Sequence, residues 1–358
     1  MRKSIAVSTL LSIAFTVVLT LVCCLLSRQI LVWMQIPDDI AEEANAYMFV
    51  VLLGTGATVF YNMISNMLRA LGDSKTPLYF LVFSSVLNII LDIVFIVPMH
   101  MGVAGAAIAT VFAQGVSAVL VVMALCRSTD LFRLEIRKIR FHREALELLI
   151  KIGLPAGLQS VMYSFSNVII QTALNAFGTN TMAAWTACGK IDSFFWMVIN
   201  AFGISITTFV GQNYGARKFG RMRKSVRICI AMAVGASISI SAIFILFGRY
   251  VYQLFTTDAA VVEIGMHMIT MMAPAYAIYV FIEIYSGALR GTGDVLVPML
   301  MTCGGVCVLR ILWMMFVVPL KPVIDTIIYS YPISWTLTAL VVIFYYRKKC
   351  AQIPDTDE

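Results

Sequence analysis

Apolar stretches of about 20 residues, the length that carries a helix across a bilayer, recur ten times along the chain. They lie near residues 5–27, 46–68, 78–98, 103–126, 152–177, 181–209, 226–247, 264–288, 296–319 and 324–346. Short polar runs holding charge, Pro or Gly separate them, so the pattern predicts ten membrane-spanning helices in an all-α chain. The first does not read as a cleaved signal peptide, because its apolar core is too long and no small-residue cleavage site follows.

Composition agrees with that solvent. The 358 residues are 60% hydrophobic and only 13% charged, whereas a soluble domain carries about 25% charge. The net charge of +7 comes from bases in short loops and forms no stripe for nucleic acid. Every second loop is basic: Arg2 and Lys3, then Arg69 and Lys75, then Arg127 to Lys151, then Arg217 to Arg227, then Arg347 to Lys349. The excess of Lys and Arg on cytoplasmic loops therefore predicts cytoplasmic termini in a multi-pass inner-membrane protein. The cysteines lie mostly inside apolar runs and read as buried thiols. His100, His142 and His267 all fall near loops, so neither a zinc site nor a nucleophile constellation is expected, and no cofactor.

An internal repeat divides the chain. Leu68-Arg69-Ala70-Leu71-Gly72-Asp73 and Pro77 return, 221 residues on, as Leu289-Arg290-Gly291-Thr292-Gly293-Asp294 and Pro298. The same offset carries Phe95-Ile96-Val97-Pro98 onto Phe316-Val317-Val318-Pro319 and Met1-Arg2-Lys3-Ser4 onto Met222-Arg223-Lys224-Ser225. An offset spanning six helices relates two halves of equal topology by an axis along the membrane normal. Because the fifth and sixth spans map to positions before residue 1, the chain reads as ten helices of a twelve-helix fold of two pseudo-symmetric lobes. The expected organisation is an N-terminal lobe at 1–127 with four of six helices and a basic cytoplasmic linker at 128–151. A six-helix C-terminal lobe at 152–346 and a cytoplasmic tail at 347–358 follow.

Polar groups within spans are costly, about 2.5–3.5 kcal/mol for Asp at the centre on insertion scales, so each demands a reason. Asn88 and Asp92 are four apart on the third span and share a face. Thr110 on the next, antiparallel span falls at nearly the same depth. A carboxylate, an amide oxygen and a hydroxyl suit a proton or a small hard cation such as Na⁺. The repeat places Leu309 and Trp313 opposite Asn88 and Asp92, so this pair is not part of the shared scaffold. Interhelical hydrogen bonding is the alternative role.

The second half offers a looser set. Gln159, Tyr163 and Asn167 recur every four residues, as a stripe that suits a wet cavity or inter-helix hydrogen bonds. Lys190 and Asp192, two apart, point to different faces, and Lys190 is the sole base counted inside the spans. Glu283 lies two turns from Arg290, as for a boundary ion pair. Tyr163, Phe165 and Trp196 offer aromatic faces that attract cations. Arg69/Asp73 and Arg290/Asp294 read as loop clamps, and Gly211-Gln212-Asn213-Tyr214-Gly215-Ala216 as a turn before a basic amphipathic stretch.

In combination, Arg69-Ala70-Leu71-Gly72-Asp73, Asn88-Ile89-Ile90-Leu91-Asp92, Gly102 to Thr110 and Gly211 to Ala216 resemble the multidrug and toxic compound extrusion (MATE) family along essentially the whole chain. The resemblance implies two six-helix lobes and cation-coupled export of organic, often cationic, small molecules; antiport by alternating access with a single chain as the working unit is the expected mechanism, and no His, Ser or acid constellation converges as an enzyme would need. The family's Asn-x-x-x-Asp pair and following Thr fall on Asn88, Asp92 and Thr110. Its first-span aspartate would precede residue 1. A lipid-linked saccharide flippase of the same superfamily and a non-transporting fragment are the alternatives.

Overall fold

The computed structural model describes residues 2–33, 38–127 and 142–353. It divides into two compact units, Met1–Ile150 and Lys151–Glu358, and among the described residues ten helical segments are long and apolar enough to cross a membrane. The 128–141 part of the expected linker and the 354–358 part of the expected tail lie outside the described residues.

Unit 1 holds α1 (Arg2–Trp33), α2 (Asp38–Ala70), α3 (Lys75–Ile96) and α4 (Gly102–Arg127). Its core gathers Ile5, Tyr61, Ile64, Leu68, Ala118, Val121 and Leu125 from α1, α2 and α4. Helix α3 buries only Pro77 and Ser84; Phe83, Val86, Ile90 and Ile93 stand exposed. Apolar residues around such a helix are tolerated only where lipid or protein replaces water.

Unit 2 begins within α5 (Arg143–Asn175) and continues with α6 (Thr179–Gly215) and α7 (Phe219–Gln253). One span follows as α8 (Ala259–Met272) and α9 (Tyr276–Gly291), joined by a 3₁₀ turn at Ala273–Ala275. The break falls at Pro274, whose missing N–H cannot join the helical ladder. The next span is α10 (Leu296–Thr302) and α11 (Leu309–Leu312), with π-helical turns at Cys303–Val308 and Trp313–Val317; α12 (Ile324–Cys350) closes the unit. Cys188, Cys229, Cys303 and Cys307 are buried, as their apolar neighbours foretell.

The 221-residue offset is visible in the element bounds. Shifted back by 221, α8–α9 (259–291) becomes 38–70, the bounds of α2, and the α10–α11 span (296–317) becomes 75–96, the bounds of α3. The loops repeat as well. Gly72 and Gly293 adopt φ of 93° and 91°, the left-handed geometry that ends a helix without penalty only at glycine. Each turn closes with the same bond: Asp73 N–H to Leu68 O at 2.9 Å, and Asp294 N–H to Leu289 O at 3.1 Å.

Three local expectations change. Most helices run past their apolar stretches, because helical hydrogen bonding continues through the polar ends. Gly211–Gly215 is not a turn but the last part of α6. A Cβ on Gly211 would stand 3.3 Å from the Gly291 carbonyl, so the glycine serves close packing of α6 on α9, and the chain turns only at Arg217 (φ 56°). The Arg–Asp loop clamps do not form. Arg69 donates to Asn66 Oδ1 at 3.0 Å, while Asp73 Oδ1 accepts from the N–H groups of Lys75 and Thr76 at 3.2 and 3.0 Å. Asp294 instead accepts from the Tyr345 hydroxyl at 2.6 Å, with Lys349 Nζ 3.9 Å away.

Candidate functional site: a polar track in unit 1 and a buried aromatic core in unit 2

Helices α3 and α4 are joined by a short turn in which His100 and Gly102 take positive φ (50° and 55°). A Cβ on Gly105 would press on Phe95 at 3.0 Å, so the two helices approach closely just below that turn. This brings Asn88 to Thr110: the amide Nδ2 donates to Thr110 Oγ1 at 3.4 Å. Asp92 lies one turn nearer the α3–α4 turn, half-buried, and its Oδ1 is buried with no hydrogen-bond partner among the described residues. An unpartnered buried acceptor carries a desolvation cost of about 1–3 kcal/mol, more if charged. It marks a position that a cation or proton can satisfy.

The polar track extends further than the spacing of Asn88, Asp92 and Thr110 indicated. Gln114, one turn beyond Thr110 on α4, accepts from the hydroxyl of Thr58 on α2, and Asn62, one turn further along α2, donates to Thr58 O at 2.9 Å. Gln114 and Thr58 were open to detection from their i+4 relation to Thr110 and Asn62, but nothing in a linear pattern pairs α2 with α4.

In unit 2 the expected residues separate. Gln159 Nε2 donates to Thr302 Oγ1 at 2.9 Å, an inter-helix bond between α5 and α10. Tyr163 packs on the core and its hydroxyl meets that of Tyr279. Asn167 and Phe165 are exposed. Lys190 is exposed over the Phe255 ring, 5.6 Å from its centroid, whereas Asp192 is buried and accepts from the Tyr276 hydroxyl. The two do point apart. Trp196 meets Tyr279 edge-on at 4.7 Å and Trp335 at 6.2 Å. Glu283 pairs with Arg290 at 2.7 Å, the ion pair its spacing implied. His267, within α8 rather than beside a loop, lies 2.7 Å from Asp325.

Arg310 corrects the count of charges inside the spans. It sits in α11, 4% exposed, its guanidinium 3.8 Å above the Tyr331 ring and 6.0 Å from Trp335. It donates to Ser334 Oγ at 3.2 Å, and its Nε finds no partner among the described residues. The flanking Leu309 and Ile311 run concealed it within an apolar stretch. The rings that seat it make the charge tolerable, since a desolvated cation over an aromatic face gains about 2 kcal/mol.

Among the described residues outside the membrane-spanning segments one carboxyl is clearly perturbed. The Thr76 hydroxyl and N–H, then the Lys75 N–H and ammonium, hold Asp73 below the ordinary carboxylate value. Among the described residues no three His, Cys, Asp or Glu converge as a metal site.

A family model described as MatE matches residues 1–94 and 155–315, well over half of the chain. The chain belongs to the MatE family. It is 27% identical over 307 residues to the probable multidrug resistance protein YoeA of Bacillus subtilis (strain 168), covering 83% of this chain and 66% of that protein. It is 28% identical over 285 residues to the probable multidrug resistance protein YpnP of the same strain, covering 80% and 64%. Similarity to the multidrug export protein MepA of Staphylococcus aureus reaches 25% over 259 residues, covering 72% and 56%. The chain therefore spans somewhat under two thirds of these MatE relatives' length. In fold it is similar to a MOP superfamily transporter from Pyrococcus furiosus described as having a binding pocket of reverse polarity, with a TM-score of 0.91 at 23% identity over 99% of this chain and 80% of that one. An outward-facing multidrug resistance MATE transporter gives 0.90 at the same identity and coverage. MatE relatives are transporters and not enzymes, and this member is a multi-pass membrane protein.

Proposed function

We propose that this MatE protein is an exporter of organic, cationic small molecules driven by a proton or Na⁺ that binds at Asp92 with Asn88 and Thr110. The observation that carries the reading is the buried, unpartnered Oδ1 of Asp92 beside the Asn88–Thr110 bond. A cation arriving there satisfies an acceptor that no described residue satisfies, so binding changes the balance of forces between α3 and α4. Only such differential stabilisation can shift a transporter between two states. The relatives named for multidrug resistance and export support the direction and the substrate class. The alternation of basic loops supports an inner-membrane location with Arg69 and Lys75 on the cytoplasmic side, and a single chain is the proposed working unit. The lobes are proposed to extend over 1–127 and 152–346. Arg310 does not favour a carrier of lipid-linked saccharides, because one guanidinium roofed by Tyr331 and Trp335 offers no open basic surface for phosphates.

The test is efflux of ethidium from proteoliposomes under separately imposed Na⁺ and pH gradients. Asp92→Asn is expected to abolish the gradient-driven component. Efflux by that variant at the wild-type rate would overturn the assignment.

A further inference from the structure

The Thr58–Gln114 bond lies in register with the Asn88–Thr110 bond, and the register is regular. From the helix ends near the α3–α4 turn, Asp92 is four residues in, Asn88 and Thr110 are each eight in, and Gln114 is twelve in. At 1.5 Å per residue these depths are about 6, 12 and 18 Å. Thr58 and Asn62 lie twelve and eight residues before the opposite end of α2 at Ala70, about 18 and 12 Å from the basic loop of Arg69 and Lys75. Three helices thus contribute i,i+4 polar pairs, Asp92/Asn88, Thr110/Gln114 and Thr58/Asn62. Side-chain hydrogen bonds join α3 to α4 and α4 to α2.

Except at Asn62, whose counterpart is Glu283, the repeat replaces these residues with leucine or aromatic residues. Shifted by 221, Thr58, Thr110, Gln114 and Asp92 become Tyr279, Tyr331, Trp335 and Trp313. In unit 2 three of these rings are in contact: Tyr279 lies 5.4 Å and Tyr331 5.5 Å from Trp335, centroid to centroid. The same positions in the same scaffold are aromatic in one unit and Thr, Gln or Asp in the other. Half-buried oxygens of Thr and Gln at one-turn intervals are hard, neutral ligands for a small monovalent cation or for a proton carried by water.

We propose that Thr58 and Gln114 form a second station for the coupling cation, one turn deeper than Asn88 and Thr110, through which it leaves Asp92 toward the Arg69–Lys75 loop. This rests on Asp92 being the binding site, and the experiment separates the two claims. The whole chain in lipid nanodiscs is equilibrated with ²²Na⁺ and chased with unlabelled Na⁺; a parallel arm follows proton release with a pH-sensitive dye after a pH jump. Asp92→Asn is expected to lose bound ion. Thr58→Val and Gln114→Leu are expected to keep equilibrium affinity within about twofold yet slow release about tenfold, the order expected when one oxygen ligand is withdrawn from a barrier. Thr58→Ser keeps the hydroxyl and should release at the wild-type rate. A mere α2–α4 clamp would alter thermal stability and leave release unchanged. Wild-type release rates in both Thr58→Val and Gln114→Leu overturn the second station while leaving Asp92 in place. Full ion binding by Asp92→Asn, or no binding of either ion by the wild type, overturns the site at Asp92 and the station with it.

Discussion

Removing the Tyr276 hydroxyl measures what a single buried donor is worth to the core of unit 2. Asp192 is 7% exposed and its Oδ1 accepts from that hydroxyl. The Tyr276 ring stacks on Phe195 with centroids 4.1 Å apart and planes 14° from parallel. Tyr276→Phe retains the ring, the stack and the volume, so the oxygen alone is lost. A hydrogen bond to a charged group contributes about 1.5–3 kcal/mol, while a neutral one between helices in a membrane averages about 0.6 kcal/mol. Tyr276→Phe leaves this buried oxygen of Asp192 without its donor, a loss of about 1–3 kcal/mol to be read in SDS-driven unfolding of purified protein. Asp192→Asn combined with Tyr276→Phe should cost clearly less than the sum of the two, with a coupling above about 1 kcal/mol. A loss under about 0.5 kcal/mol together with additive effects would refute a stabilising bond between Tyr276 and Asp192.

Two further outcomes follow from the loops and the helix crossings. Asp73→Ala should lower stability by about 1 kcal/mol near neutral pH through loss of the cap on α3. Because Asp73 titrates below its ordinary value of 3.8 when folded, its contribution is complete above that value and fades as pH falls through the depressed one. The wild-type–variant gap in melting temperature should therefore close in acid and not in base. Gly291→Ala should destabilise by about 1–3 kcal/mol, since its Cβ would meet the Thr207 carbonyl at 2.7 Å and backbone cannot yield as a flexible side chain does. Unchanged thermal unfolding in that variant would show that α6 and α9 are not locked at this crossing.

Much of the architecture could be read along the chain because lipid imposes a one-dimensional rule: each crossing must be a long apolar helix with its backbone bonds internal. That rule yields the ten spans, and the recurrence of Leu-Arg-x-x-Gly-Asp yields the 221-residue offset that the helix bounds reproduce. The glycine of that motif is needed for its positive φ, a local requirement, so it could be recognised locally. Asn88 with Thr110 and Glu283 with Arg290 were equally legible, being pairs whose partners are set by helical spacing or by one short turn.

Contacts between helices distant in sequence were decided only by tertiary packing. The bond from Thr58 to Gln114, the hydroxyl of Tyr276 on Asp192 and the rings beneath Arg310 each depend on which helix lies beside which, and at what rotation. Period and composition are silent on both. The Gly211 segment failed as a turn for the same reason: glycine is used both to bend a chain and to let helices touch, and only the neighbouring Gly291 backbone distinguishes the two uses.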